Sequence, residues 1–177
     1  MMSNSSDFHL TNDQLRAVTR FAVESAQEVL TIFESIHRDD DRPRTAIEAA
    51  WLFAHGAPRT NLQRVTAIGA HRAAKEADEE AALYAARAAG DAAAAAYLHP
   101  IFKATQVGHI LRATACAARS AELRAGTASA AENTLLRAQQ RATPQLLYVL
   151  RHYPPAPTGQ HRVTQLITSL DQRLRLT

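Results

Sequence analysis

The sequence predicts an all-α protein, a single-domain bundle of seven or eight helices. Alanine, the strongest helix former, occupies 37 of the 177 positions. Strand-favouring aromatic residues are scarce, at 6%. Apolar residues recur at spacings of three and four, and no segment shows the alternation of a half-buried strand. The length suits one domain. With 46% hydrophobic and 21% charged residues, the chain has the composition of a packed protein and not of a disordered one. No fixed repeat suggests a solenoid.

Residues 1–10 read as an N-terminal tail ending in Phe8 and Leu10, ahead of a helical domain over 11–177. Thr11 and Gln14 have capping-box spacing, and Leu10 is placed to staple onto the first turn. The first helix then shows one apolar face, Leu15, Val18, Ala22, Ala26, Val29, Phe33 and Ile36, with Arg16, Arg20, Glu24, Gln27 and Glu34 opposite. The second helix opens with Asp41 as N-cap and Pro43 in the first turn, and ends at Gly56. It is expected to bury Ile47, Ala50, Trp51 and Ala54. Thr60 and Gln63 form another capping box, and the third helix is expected to face the core with Leu62, Val65, Ile68 and His71.

Asp78, Glu79 and Glu80 suit the positive end of a fourth helix. Residues 81–96 include eleven alanines, a face that lets neighbours approach closely and so belongs at the centre of the bundle, or else lines a cavity. Gly90-Asp91 either breaks this helix or marks a close contact within it. The fifth helix is expected to start at His99-Pro100, to carry Ile101, Phe102, Val107, Ile110, Leu111 and Cys116, and to end at Gly126. Ser129 and Glu132 suggest a capping box for a sixth helix carrying Leu135, Leu136 and Ala142. Thr143-Pro144 starts a short seventh through Leu146, Leu147 and Leu150. Pro154–Pro157 reads as a rigid extended spacer, and the last helix aligns Val163, Leu166, Ile167, Leu170 and Leu174.

The net charge of +3 is unevenly spread: −3 over residues 1–60, +2 over 61–120 and +4 over 121–177. The basic C-terminal third has dispersed arginines, no basic run and no interleaved aromatics, so nucleic-acid binding is the weaker reading. The single cysteine, Cys116, lies in an apolar helical context and reads as buried and structural. No membrane-length apolar stretch and no secretory leader are present, and a cytoplasmic location is expected.

No pair among the eight histidines has the i,i+4 spacing of a zinc helix; His71, His99 and His109 would have to meet in space. Neither a phosphate loop, a nucleophile elbow nor a di-iron signature is present. No catalytic residue, metal or cofactor is therefore predicted. Two binding clusters remain. One is Asp41, Arg42, Arg44 and Glu48 beside Trp51, with Arg44 and Glu48 as i,i+4 partners. It is either a loop tied down by Asp–Arg pairs or a charged lip for a ligand or partner. The other is a pocket between alanine-rich helices lined by Trp51, His71, Tyr97 and His109.

Asp40-Asp-Arg-Pro-Arg44-Thr-Ala-Ile-Glu-Ala-Ala50, Ala70-His-Arg-Ala-Ala74 and Ala88-Ala-Gly-Asp-Ala-Ala-Ala94 resemble, in order and approximate spacing, the successive motifs of a family of bacterial immunity proteins. That family is associated with polymorphic toxin systems. The resemblance runs from about Leu10 to Glu122, so residues 11–125 form the family-like core and 126–177 the C-terminal helices. The tail, from Arg141-Ala-Thr-Pro144 through Tyr153-Pro-Pro-Ala-Pro157, looks like an actinobacterial branch. The family pattern often has histidine where this chain has Asp91 and Tyr97, while His71 and His109 fall on matching positions.

The resemblance implies a stoichiometric binding protein whose partner is a cognate protein toxin or a small toxic metabolite. The acidic Asp39–Asp41 loop would suit a basic toxin, through salt-sensitive association. A small-molecule-binding protein or enzyme is the alternative, and a nucleic-acid-binding helical protein the second alternative.

Overall fold

The computed structural model describes residues 8–177; residues 1–7 of the expected tail lie outside them. Eight α-helices follow in order: α1 (Asn12–Glu34), α2 (Arg42–Ala54), α3 (Asn61–Glu76), α4 (Glu80–Ala94), α5 (Thr105–Ala125), α6 (Ala128–Arg141), α7 (Pro144–Arg151) and α8 (Arg162–Leu176). A single 3-10 turn, Ala95–Tyr97, follows α4, and no strand occurs among the described residues. No described helix is long and apolar enough to cross a membrane.

The helices form three layers. α1, α4 and α5 pack together at the centre, α2 and α3 cover one side, and α6, α7 and α8 cover the other. α1 is buried on more than one face. Besides the predicted apolar stripe it hides Phe21, Val23, Leu30, Thr19 and Ser25. The two hydroxyls are tolerated because each donates to a carbonyl one turn back, Thr19 to Leu15 and Ser25 to Phe21. Ile36 falls beyond the helix end and is only partly buried.

α4 is the alanine helix, and nearly its whole surface is covered by α1, α2, α3 and α5. Gly90-Asp91 does not break it. Gly90 is fully enclosed, and a Cβ there would stand 2.8 Å from His71 Nε2. The glycine is a contact point where an imidazole lies against the α4 backbone.

Several local signals act as read. Thr11 with Gln14 and Thr60 with Gln63 form complete capping boxes, Thr143 caps α7, and Gly126 ends α5 with φ +71°. Four smaller expectations need correction. Asp41 holds the N-cap position of α2 without a side-chain cap, and the neighbouring Asp40 carboxylate takes the Arg42 N–H instead. Trp51 is half-buried; Phe53 enters the core from that helix. α5 begins at Thr105, and 98–104 are irregular with Phe102 exposed; the His99 N–H is taken by the Gln106 side chain and its carbonyl by the Tyr153 hydroxyl, outside any helix. Ser129 lies inside α6, which starts at Ala128 directly after Thr127, so the Ser129–Glu132 box does not form.

The largest correction is α3. Its buried face is Gln63, Thr66, Ala67, Ala70, Ala73 and Ala74, and the expected core residues Leu62, Val65 and Ile68 point outward. The small face turns inward because α4 presents alanines to it. Two such faces pack closely, whereas leucine and isoleucine would hold the helices apart. Gln63 is satisfied there, donating to the Ala49 carbonyl at 3.0 Å and accepting from the Thr60 N–H at 3.0 Å.

The proline segment after α7, expected as a rigid extended spacer, is docked on α8. The Ala156 N–H donates to the buried Asp171 carboxylate at 2.9 Å, and Arg175 pairs with Asp171 while donating to the carbonyls of Leu150, Tyr153 and Pro154. Tyr153 is buried and donates its hydroxyl to the His99 carbonyl at 2.7 Å, joining this end to the irregular segment before α5.

Candidate functional site

α3, α4 and α5 each carry two polar residues one turn apart that face a common cleft. α3 contributes His71 and Lys75, α4 contributes Arg87 and Asp91 with Tyr84 beside them, and α5 contributes Arg112 and Cys116. His161, Arg162 and Val163, at the start of α8, close one end. The cleft holds about 620 Å³, within the range of small-molecule sites.

Its floor is Asp91, whose carboxylate lies 3.5 Å from His71 Nε2 and accepts from the Cys116 thiol at 3.8 Å. Burial pushes Asp91 above the usual carboxylate range, against the pull of His71 and Arg112. Burial also pushes the Cys116 thiol well up, and the neighbouring Asp91 charge adds to this, so the thiol stays protonated. His109, on α5 and outside the cleft lining, is held below the ordinary histidine value by partial desolvation and by the charge of Arg112. The only thiol is thus unreactive, and the charged side chains that remain in the cleft are Lys75, Arg87, Arg112 and Arg162 above Asp91. Lys75, Arg87 and Arg112 make no ion pair or hydrogen bond with any described residue.

In a larger hollow of about 740 Å³ between α1 and the start of α7 every arginine is already engaged: Arg16 pairs with Asp13, Arg141 with Glu24 and Glu28, and Arg20 donates to the Ala54 carbonyl. The basic C-terminal third behaves similarly. Arg137, Arg141, Arg162, Arg173 and Arg175 all hold carboxylates of this chain, which leaves little positive surface for a nucleic-acid backbone.

A second feature is the outer face of α3. Leu62, Val65 and Ile68 are 43%, 56% and 48% exposed, and Leu52 on the adjacent α2 is 52% exposed. Arg64, Arg72 and Lys75 on the same helix are exposed around this stripe.

The residues singled out from sequence are distributed over four places. Arg44, Glu48 and Trp51 share a shallow hollow against α1. Arg44 does not pair with Glu48; its guanidinium crosses to Glu34 with bonds of 2.7 and 2.8 Å. The Trp51 indole donates to Gln27 at 2.6 Å and stacks on His55. Asp41 and Arg42 lie at a separate hollow, where Arg42 grips Asp40 with two bonds and reaches Glu76, tying the α1–α2 loop to the end of α3. Those bonds hold Asp40 below its usual range. Tyr97 donates to the Thr60 carbonyl under the guanidinium groups of Arg59 and Arg64. Of the expected pocket, only His71 and His109 approach the same group, Asp91.

Sequence reasoning missed Lys75, Tyr84, Arg87, Arg112, Cys116 and Arg162 as neighbours. The i,i+4 pairs were present in the chain, but nothing local says that three helices turn those pairs to one another. Among the described residues no group of three His, Cys, Asp or Glu side chains is placed to hold a metal ion.

The family model described as Imm-5 like putative immunity protein matches residues 9–142, from α1 through α6. No curated protein and no solved structure matches the chain.

Proposed function

The chain belongs to the Imm-5 like immunity protein family, and from that premise we propose that it neutralises a cognate polypeptide toxin by stoichiometric contact through the outer face of α3. The observation that carries this reading is the orientation of that helix. Three large aliphatic side chains, with Leu52 beside them, face solvent while alanines face the core. About half of each of these side chains stays in solvent and none belongs to the core, and an apolar stripe within a polar surround is the form of an interface centre.

Arg64, Arg72 and Lys75 give the surround a positive character that suits an acidic rim on the partner. Stable neutralisation needs an interface of roughly 1,200–2,000 Å² in total, so the stripe would be its centre and not its whole extent. The protein acts in the cytoplasm in this reading. The Asp39–Asp41 loop is the competing surface, suited to a basic toxin: Asp39 and Asp41 are exposed, while Asp40 is occupied by Arg42.

Native mass spectrometry of the tagged protein from its own host decides between them. The wild type should carry one polypeptide at fixed stoichiometry. A Val65→Asp/Ile68→Asp variant should lose it while keeping its helicity, and an Asp39→Lys/Asp41→Lys variant should keep it. Loss only in the loop variant moves the docking surface to the acidic loop. A wild type with no polypeptide partner, or with only a small-mass adduct, overturns neutralisation by contact.

A further inference from the structure

We propose that the cleft between α3, α4 and α5 binds the phosphate dianion of a small phosphomonoester. This site shares only Lys75 with the α3 outer face, and its test leaves that residue untouched. Nine of the 18 arginines hold a carboxylate of this chain. Arg87 and Arg112 do not, although they converge with Lys75 from three different helices. Arg112 is half-buried with its guanidinium open to the cleft, and Lys75 and Arg87 are exposed, so all three are free to meet an anion there.

The backbone accommodates this arrangement. Arg112 lies folded over Gly108, where a Cβ would stand 2.5 Å from its Nη2, and His71 lies on Gly90. Both cationic or polar heads are therefore kept low in the cleft by glycines. The one carboxyl present, Asp91, is set beneath them and is already engaged by His71 and the Cys116 thiol.

Cations arriving from three directions fit a tetrahedral oxyanion with acceptors on every side better than a planar carboxylate, and guanidinium forks suit phosphate oxygens. Tyr84 and Val163 supply an aromatic and an aliphatic wall, so the ligand has an organic body as well as the anionic head.

Isothermal titration calorimetry at fixed ionic strength tests the proposal with three probes: phenyl phosphate, inorganic phosphate and benzoate. Phenyl phosphate should saturate one site and bind more tightly than either of the others. Arg112→Gln should weaken it roughly tenfold or more, the effect of losing a charge-assisted hydrogen bond. Asp91→Asn, which removes the like charge below the ligand, should tighten it. Arg124→Gln, at the far end of α5, should leave it unchanged. Circular dichroism confirms that Arg112→Gln folds. If it does not, Gly108→Ala, which displaces the guanidinium without altering charge, should weaken binding in its place.

The proposal is overturned by equal binding of benzoate, by inorganic phosphate binding as tightly as the ester, or by no saturation at millimolar probe. It is also overturned if Arg124→Gln matches Arg112→Gln, since binding would then be a diffuse charge effect.

Discussion

A methyl group added to Gly69 would meet nothing closer than the Arg42 Cβ and Cγ at 3.9 Å, whereas one added to Gly90 would press three imidazole atoms of His71 at 2.8–2.9 Å. Both glycines are helix-interior, where alanine is favoured by about 1 kcal/mol. Gly69→Ala should therefore stabilise the protein by about 0.5–1 kcal/mol in urea denaturation. Gly90→Ala should show no such gain and should shift the His71 ring signals in NMR spectra. Gly90 was visible in the sequence as an anomaly in an alanine run, but its purpose lies on another helix. His71 is the converse case. Its periodicity grouped it with Leu62, Val65 and Ile68, yet it lies near the α3–α4 seam, set by the side of α3 that α4 accepts.

At the scale of the element, a capping signal acts where the chain before it leaves the helix free to start there. Thr11 and Thr60 close their boxes with Gln14 and Gln63 as expected, whereas Thr127, directly after the left-handed Gly126, starts α6 before Ser129 can cap it. α8 and the proline segment depend on each other through Asp171, which is 2% exposed and serves both the Ala156 N–H and Arg175. Asp171→Ala should cost about 3 kcal/mol, the scale of breaking a buried pair from one side. Chemical denaturation measures the loss, and hydrogen exchange at the Ala156 amide should accelerate well beyond that of α1. An unchanged amide would mean that the segment is held by its apolar contacts alone. The exposed stripe of α3 is also a property of the element: two apolar faces are present, one small and one large, and only the neighbouring helix determines which is buried.

Over the whole molecule, acid stability follows from a few carboxylates. Hydrogen bonds from Arg162 and Arg119 lower Glu122 from 4.5, and bonds from Arg42 lower Asp40 from 3.8. A carboxyl lowered in the fold contributes stability that is present above its unfolded value and is lost as pH falls through its folded value. Asp91, raised by burial, acts in the opposite sense: its ionised form opposes folding, and its protonation on acidification relieves that cost. The denaturation midpoint should thus hold from neutral pH to about 5 and fall below about 4.5 as Glu122 and Asp40 protonate. Asp91→Asn should start higher at neutral pH and fall more steeply, because the offset is gone; equal slopes for variant and wild type would show that Asp91 is not strained by burial. By itself the sequence determined the all-α class, the near-complete set of helices, several caps and the family-like motifs, because propensity, capping and turn chemistry act over a few residues. Tertiary structure alone decided that α1 is buried on more than one face, that α3 turns its alanines inward, and that Lys75, Arg87 and Arg112 meet over Asp91. Those outcomes depend on which surfaces fit at close packing and on which charged residues the packed helices turn to one cleft, and both are set by helices distant along the chain.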